Sequence, residues 1–205
     1  EKSIITLPLR RKGHPKKNGQ GINAAMKLFE CKSKSLNEAL TALDDFRIPA
    51  SQRLEAAKRL ANAALEPDLD AACEIDLHCH SFMSDGYCSP SMRLFEAWRR
   101  RMKAIAVSDH DLFDGQAEAI EAASIFGVDI VPAAEFYTAR PGIEIIAHFP
   151  DKAHFLATLE AKAFDCVVEP IRKAKSLQLA KMLARIPGCF EKLSFKAEIT
   201  TADID

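Results

Sequence analysis

The stretch Glu74–Gly86 reads EIDLHCHSFMSDG. Asp76, His78 and His80 alternate along a short β-type run, with Ile75, Leu77 and Cys79 at the intervening positions. Successive side chains of a strand point to opposite faces, so the carboxylate and both imidazoles are expected on one face, with Leu77 and Cys79 on the other. Asp85 follows in the loop just after the strand. Two imidazoles on one strand face rarely pack as core, so that face calls for a polar purpose.

The downstream sequence repeats the arrangement. AIAVS (104–108) reads as a buried strand with His110 at its C-terminal end, in SDHD. VDIVPAAE (128–135) reads as a strand ending at Glu135, and GIEIIAHF (142–149) as another carrying Glu144 and His148 at equal parity. Between them lie helix signals. Ser89 and Pro90 form an N-cap with proline at the first helical position, opening SMRLFEAWRRRM. Asp114 is expected to cap a helix through Phe126, closed by Gly127. Residues 151–162 and EPIRKAKSLQLAKMLARIPG (169–188) read as helices, the latter stopped at Pro187 and Gly188. This alternation predicts parallel βα units. In parallel α/β barrels the C-terminal strand ends line the active face, so three strands deliver metal-type ligands to one rim. Neutral imidazole and carboxylate suit Zn, Mn or Fe, and more ligands than one ion needs imply two or more ions. No G-x-S-x-G, P-loop or Gly-rich dinucleotide turn is present to offer other chemistry.

Residues 1–20 are basic and broken by Gly and Pro, read as a flexible, solvated arm containing His14. Residues 21–70 read as a helical extension. Ser35 and Glu38 fit a capping box opening LNEALTALDDF, and Ser51 is expected to cap QRLEAAKRLANAALE, ended by Pro67 and Asp68. The 205 residues carry a formal net charge of −1, which predicts neither nucleic-acid nor membrane binding. The six cysteines, at 31, 73, 79, 88, 166 and 189, form no Cys-x-x-Cys pair and read as reduced thiols. No apolar run is long enough for a bilayer and no signal-peptide pattern opens the chain, so a cytoplasmic location without membrane partners is expected.

Three segments resemble motifs of the PHP (polymerase and histidinol phosphatase) family of metal-dependent phosphoesterases. DLHCHSFMSDG is similar to its first motif, D-x-H-x-H-x-x-x-S-D-G, and AIAVSDHDLFDG to its second. VDIVPAAEFYT is similar, more loosely, to the third. The resemblance implies a distorted (β/α)7 barrel, with residues 73–205 as the PHP domain and a helical insertion starting near residue 165. It implies two or three divalent ions held by His78, His80, Asp85, His110 and Glu135. For the fourth strand it offers Glu144 at the ligand position, while a shifted register offers His148; both stay open. Asp76 and Asp109 are expected to support the ligands, Asp109 by orienting an imidazole. Asp111 is a candidate catalytic group or a cap for the next turn, and Arg140 a candidate phosphate-binding residue.

Family members continue with a His-Pro strand and a final Asp-x-His, neither of which occurs between Phe149 and Asp205. The expectation is an incomplete barrel, cut short at its C-terminus, with exposed strand edges; completion by another chain or an eroded family member are the alternatives. The implied activity is hydrolysis of a small phosphate ester, or of a nucleotide or oligonucleotide end, by metal-activated water. Alternatives are a ligand-depleted scaffold without turnover, a nuclease, and a histidinol-phosphate phosphatase. The expected partner is a phosphorylated small molecule or nucleotide, with a nucleic-acid end and self-association left open.

Overall fold

A computed structural model describes residues 33–63, 65, 74–138, 140 and 142–185. The basic arm, His14, three of the cysteines (31, 73 and 189), the Pro67–Asp68 stop and the Pro187–Gly188 stop lie outside the described residues. Two helices come first, α1 (Lys34–Leu43) and α2 (Ala50–Ala61). Then follow β1 (Ile75–Cys79), α3 (Pro90–Arg99), β2 (Ala104–Val107), α4 (Gln116–Phe126) and β3 (Asp129–Ile130). The chain continues through β4 (Ala133–Tyr137), β5 (Glu144–His148), α5 (Lys152–Glu160) and α6 (Asp165–Leu183).

Strands β1, β2 and β3 form a parallel sheet in that order, as the alternation predicts. The expected third strand is two. Pro132 has no amide to continue a ladder, and the chain leaves the sheet there before resuming as β4. Strands β4 and β5 pair antiparallel, which corrects the expectation of parallel units through residue 149. The buried side chain of Gln116 splices the two sheets: its amide donates to Val107 O at 2.6 Å and to Ala133 O at 2.8 Å.

Helix ends follow local chemistry in part. Ser89 caps α3, its Oγ accepting from Met92 N at 2.9 Å and donating to Leu43 O at 2.6 Å, so the cap also anchors the end of α1. Gly127 closes α4 with φ 70°, a left-handed conformation that glycine adopts without Cβ strain. Asp151 caps α5 through His154 N. Three caps read from the sequence lie elsewhere. Ser35 is inside α1, and its Oγ accepts from Arg59 at 2.9 Å. Ser51 is inside α2, which begins after Pro49 and ends at Ala61. Helix α4 starts after Gly115, and Asp114 instead pairs with Arg172 on α6.

The main core gathers Ala39 and Leu43 of α1, Leu54 and Leu60 of α2, Leu94 and Phe95 of α3, and Ile105 and Val107 of β2. A second core of Phe113, Phe155 and Val168, with Phe149 and Phe164 against it, seats α5 and α6 beside the hairpin. The helical extension therefore packs onto the α/β unit. It is also anchored by a buried polar contact. Arg53 and Glu118 are both about as buried as core leucines and meet in a fork, Nε to Oε1 at 2.9 Å and Nη2 to Oε2 at 2.7 Å. Glu118 Oε1 also accepts from Ser91 Oγ at 2.7 Å. On the open sides, Ile75 and Leu77 of β1 and Ile145 of β5 are exposed.

Removing one partner of a buried ion pair leaves the other charge stranded, at about 3–5 kcal/mol. Glu118→Ala is thus expected to lower the urea unfolding midpoint by that equivalent and to loosen the extension, read as faster amide exchange in α2. An unchanged midpoint would overturn the assignment of Arg53–Glu118 as its anchor.

Candidate metal centre

Strand β1 carries the histidine pair to the middle of the molecule, but not as a regular strand. Ile75 and Asp76 pair with Ala104 and Ile105, whereas Cys79 pairs with Val107, so β1 holds one extra residue between Asp76 and Cys79. Such a bulge bends the strand and re-aims its side chains. Asp76 is left behind, its Oδ1 accepting from His78 N at 3.0 Å. It therefore shapes the bulge and is in none of the ligand groupings described below. His78 and His80 turn toward each other, their Nε2 atoms 3.1 Å apart.

Both face Glu135. Its carboxylate, on β4, is 6% exposed, and Oε2 lies 2.9 Å from His78 Nε2, 3.1 Å from His80 Nε2 and 3.7 Å from His110 Nε2. The backbone fixes this meeting. After β2 the chain runs beside β4, with Glu135 N donating to Asp109 O at 3.2 Å and Asp111 N donating to Glu135 O at 2.8 Å. His110 is thereby set opposite Glu135 in a parallel bridge. Asp85 closes the group from the loop after β1, its Oδ1 3.4 Å from His80 Nδ1 and its Oδ2 3.8 Å from His110 Nε2.

The donors fall into three overlapping sets, each with its ligand atoms within 4.8 Å of one another: His78, His80 and Glu135; His80, Asp85 and His110; and His110, Glu135 and Glu144. Three imidazole nitrogens converge on one carboxylate oxygen, and a divalent cation suits this donor set. Burial pushes the His80 imidazolium pKa down despite the nearby Asp85 carboxylate, which favours the neutral form that binds metal. The residues therefore fit the ions that the sequence implies. The sets share His80, His110 and Glu135, so they form one contiguous group of donors.

For the fourth strand the structure separates two residues that the sequence left level. Glu144 joins His110 and Glu135. His148 Nε2 instead lies 2.9 Å from Leu77 O, so its ring links β5 to β1. Asp109 is also reassigned. Its carboxylate accepts from Ser81 N and Ser81 Oγ, both at 2.7 Å, and from Ser84 Oγ at 2.8 Å, so it holds the loop that presents Asp85 rather than orienting an imidazole. Asp111 is buried with φ 57°, and its Oδ1 accepts from Tyr137 N at 3.1 Å. It caps no helix. Arg140 enters the β4–β5 turn through its backbone, with Thr138 Oγ1 and Ile143 N donating to its carbonyl.

Two neighbours of the centre were missed in the sequence. Tyr137 stacks on the His110 ring, centroids 4.9 Å apart and planes 16° apart, and His110 stacks on His80 at 4.7 Å. Strand parity with Glu135 is the signal that could have found Tyr137. Lys175 of α6 lies 2.7 Å from Asp111 Oδ2 and 5.0 Å from the Tyr137 ring centre. Only tertiary packing brings it there.

The loop of Asp85 is closed tightly. Gly86 N donates to Ser81 O at 2.9 Å, and a Cβ on Gly86 would stand 2.3 Å from His80 O. Gly86→Ala must therefore shift the backbone that carries Asp85 and His80. It is expected to weaken Mn(II) binding by at least about tenfold, the scale on which metal sites respond to loss of their supports. Equilibrium dialysis beside wild type measures it, and equal affinity would show that the close approach is dispensable.

The family model of the PHP domain matches residues 76–189. Two curated relatives are each 30% identical to this chain. One is a 5′-3′ exoribonuclease of Haemophilus influenzae, aligned over 62% of this chain and 47% of its own length. The other is a 3′,5′-nucleoside bisphosphate phosphatase of Chromobacterium violaceum, aligned over 57% and 41%. The chain thus spans less than half the length of these relatives. Among solved structures it is similar to an amidohydrolase from Chromobacterium violaceum with bound sulfate and no metal, at 27% identity and a TM-score of 0.44, covering 57% of this chain and 39% of that one. No helix among the described residues is long and apolar enough to cross a membrane.

Proposed function

From the premise that this chain belongs to the PHP domain family, whose fold is a distorted (β/α)7 barrel, we propose that it is a metal-dependent phosphoesterase acting on a nucleotide or an oligonucleotide end. One observation carries the reading: His78, His80 and His110 converge on Glu135 Oε2, with Asp85 and Glu144 at the margins. The substrate class is supported by the two curated relatives, an exoribonuclease and a nucleoside bisphosphate phosphatase.

His78, His80, Asp85, His110, Glu135 and Glu144 would hold divalent ions, which would supply Lewis acidity toward phosphoryl oxygens and activation of water. The protein's own contribution is placement. Glu135 and His110 are locked to each other through the backbone, which fixes the points from which their side chains reach the centre. Asp109 holds the Ser81–Ser84 turn and thereby the exposed Asp85 carboxylate. The Tyr137 ring packs against His110 and restricts its rotation.

The test is elemental analysis of the purified chain, with hydrolysis of a phosphodiester and a phosphomonoester in added Mn(II), run beside His78→Ala. Bound metal and turnover are expected in wild type. In the variant, metal affinity is expected to fall at least about tenfold, with turnover lost alongside. Neither metal nor turnover in a protein that also carries the His-Pro and Asp-x-His segments would replace this reading with a scaffold role.

A further inference from the structure

We infer that Lys175 is a substrate-binding residue of this site, its ammonium taking an anionic oxygen of the phosphate ester; the inference rests on the phosphoesterase reading. Lys175 stands on α6, distant in sequence from every ligand candidate, yet its Nζ is one aromatic ring away from the centre. It lies over Tyr137 at 5.0 Å, and Tyr137 stacks on His110 at 4.9 Å.

The two sides of the ammonium differ. One side is fixed. Asp111 is buried, its φ is 57°, and Tyr137 N holds its other carboxylate oxygen. Lys175 Nζ sits 2.7 Å from Asp111 Oδ2, with the side chain still 48% exposed. An ammonium has three N–H donors, and the ion pair with Asp111 holds the charge at this position. The rest of the ammonium is half-exposed, and it lies over the ring that stacks on His110. A half-exposed ammonium held in place by a buried carboxylate is a point-charge receptor for a phosphate oxygen.

A tethering role alone does not account for it. Helix α6 is already tied to the same loop one turn earlier, by Arg172 with Asp114. The backbone of the hairpin is likewise held by Asp111 without Lys175, through Tyr137 N. What Lys175 adds is positive charge beside a cluster that would bind a doubly anionic group. Arg140, the basic residue suggested by sequence order, is placed in an exposed turn and has no such pairing with Asp111 or Tyr137.

Inorganic phosphate, titrated calorimetrically into the Mn(II)-loaded chain, tests the inference on wild type, Lys175→Met and Lys175→Arg. Metal content and melting temperature are recorded for each. Expected is a Lys175→Met variant with wild-type metal content whose phosphate Kd is weaker by about tenfold or more, the size of one charged hydrogen bond. Lys175→Arg, which keeps the charge, is expected to recover most of the affinity. Equal phosphate affinity in Lys175→Met and wild type would overturn the inference and leave the phosphoesterase reading standing. So would a loss of affinity in Lys175→Met that follows its melting temperature and is not recovered by arginine. A wild-type chain that holds metal but no phosphate overturns both.

Discussion

Everything at the centre of this molecule turns on one carboxylate oxygen. Glu135 Oε2 is buried and faced by three imidazole nitrogens, two of which also face each other. Without a cation or shared protons, such an arrangement is held together only by the scaffold around it, because desolvated lone pairs gain nothing from proximity. The scaffold is accordingly stiff where it touches this group. Two backbone hydrogen bonds lock the chain after β2 to β4, and Gln116 bridges the ends of the two sheets from beneath. Preorganisation of this kind lets binding energy go to the ligand rather than to ordering the site.

The architecture separates duties between its two cores. The larger one is aliphatic, with Phe95, Trp98 and Phe126 clustered at one end, and it fixes the parallel sheet that supplies His78, His80 and His110. The smaller one is built of phenylalanines around Phe113, on the loop that follows His110, and fixes the hairpin and α6. Glu135, Glu144 and Lys175 come from the second assembly. The candidate centre is therefore a seam, and it forms correctly only when both sides are in register. The buried Arg53–Glu118 pair extends that dependence to α2, whose sequence carries no chemical motif of its own.

What the sequence revealed was what local chemistry decides. The histidine pair, His110 and Glu135 were readable because strand parity and strand ends are short-range properties. Ser89 and Gly127 were readable as helix ends because the signals that mark them are local. Ser35 and Asp114 were misread because distant arginines, Arg59 and Arg172, take their side chains. The antiparallel hairpin was within reach. Only residues 138–143 separate β4 from β5, too few for a parallel crossover, which takes about a dozen residues or more. The roles of Asp109, His148 and Lys175 were beyond reach, since each depends on a partner far away in the chain.

The bulge in β1 has a consequence for how this protein can change over time. It places one surplus residue between Asp76 and Cys79, and both imidazoles are aimed from that irregular geometry. Substitutions at the exposed Leu77 alter one side chain and leave the path of the chain intact. Deleting or inserting a single residue in this short segment does something different. It changes parity, so everything C-terminal to the event turns to the opposite face and His80 leaves Glu135. Descendants of this sequence can vary the letters of the strand more freely than its length, and a gap there would mark a lineage in which the centre has been abandoned.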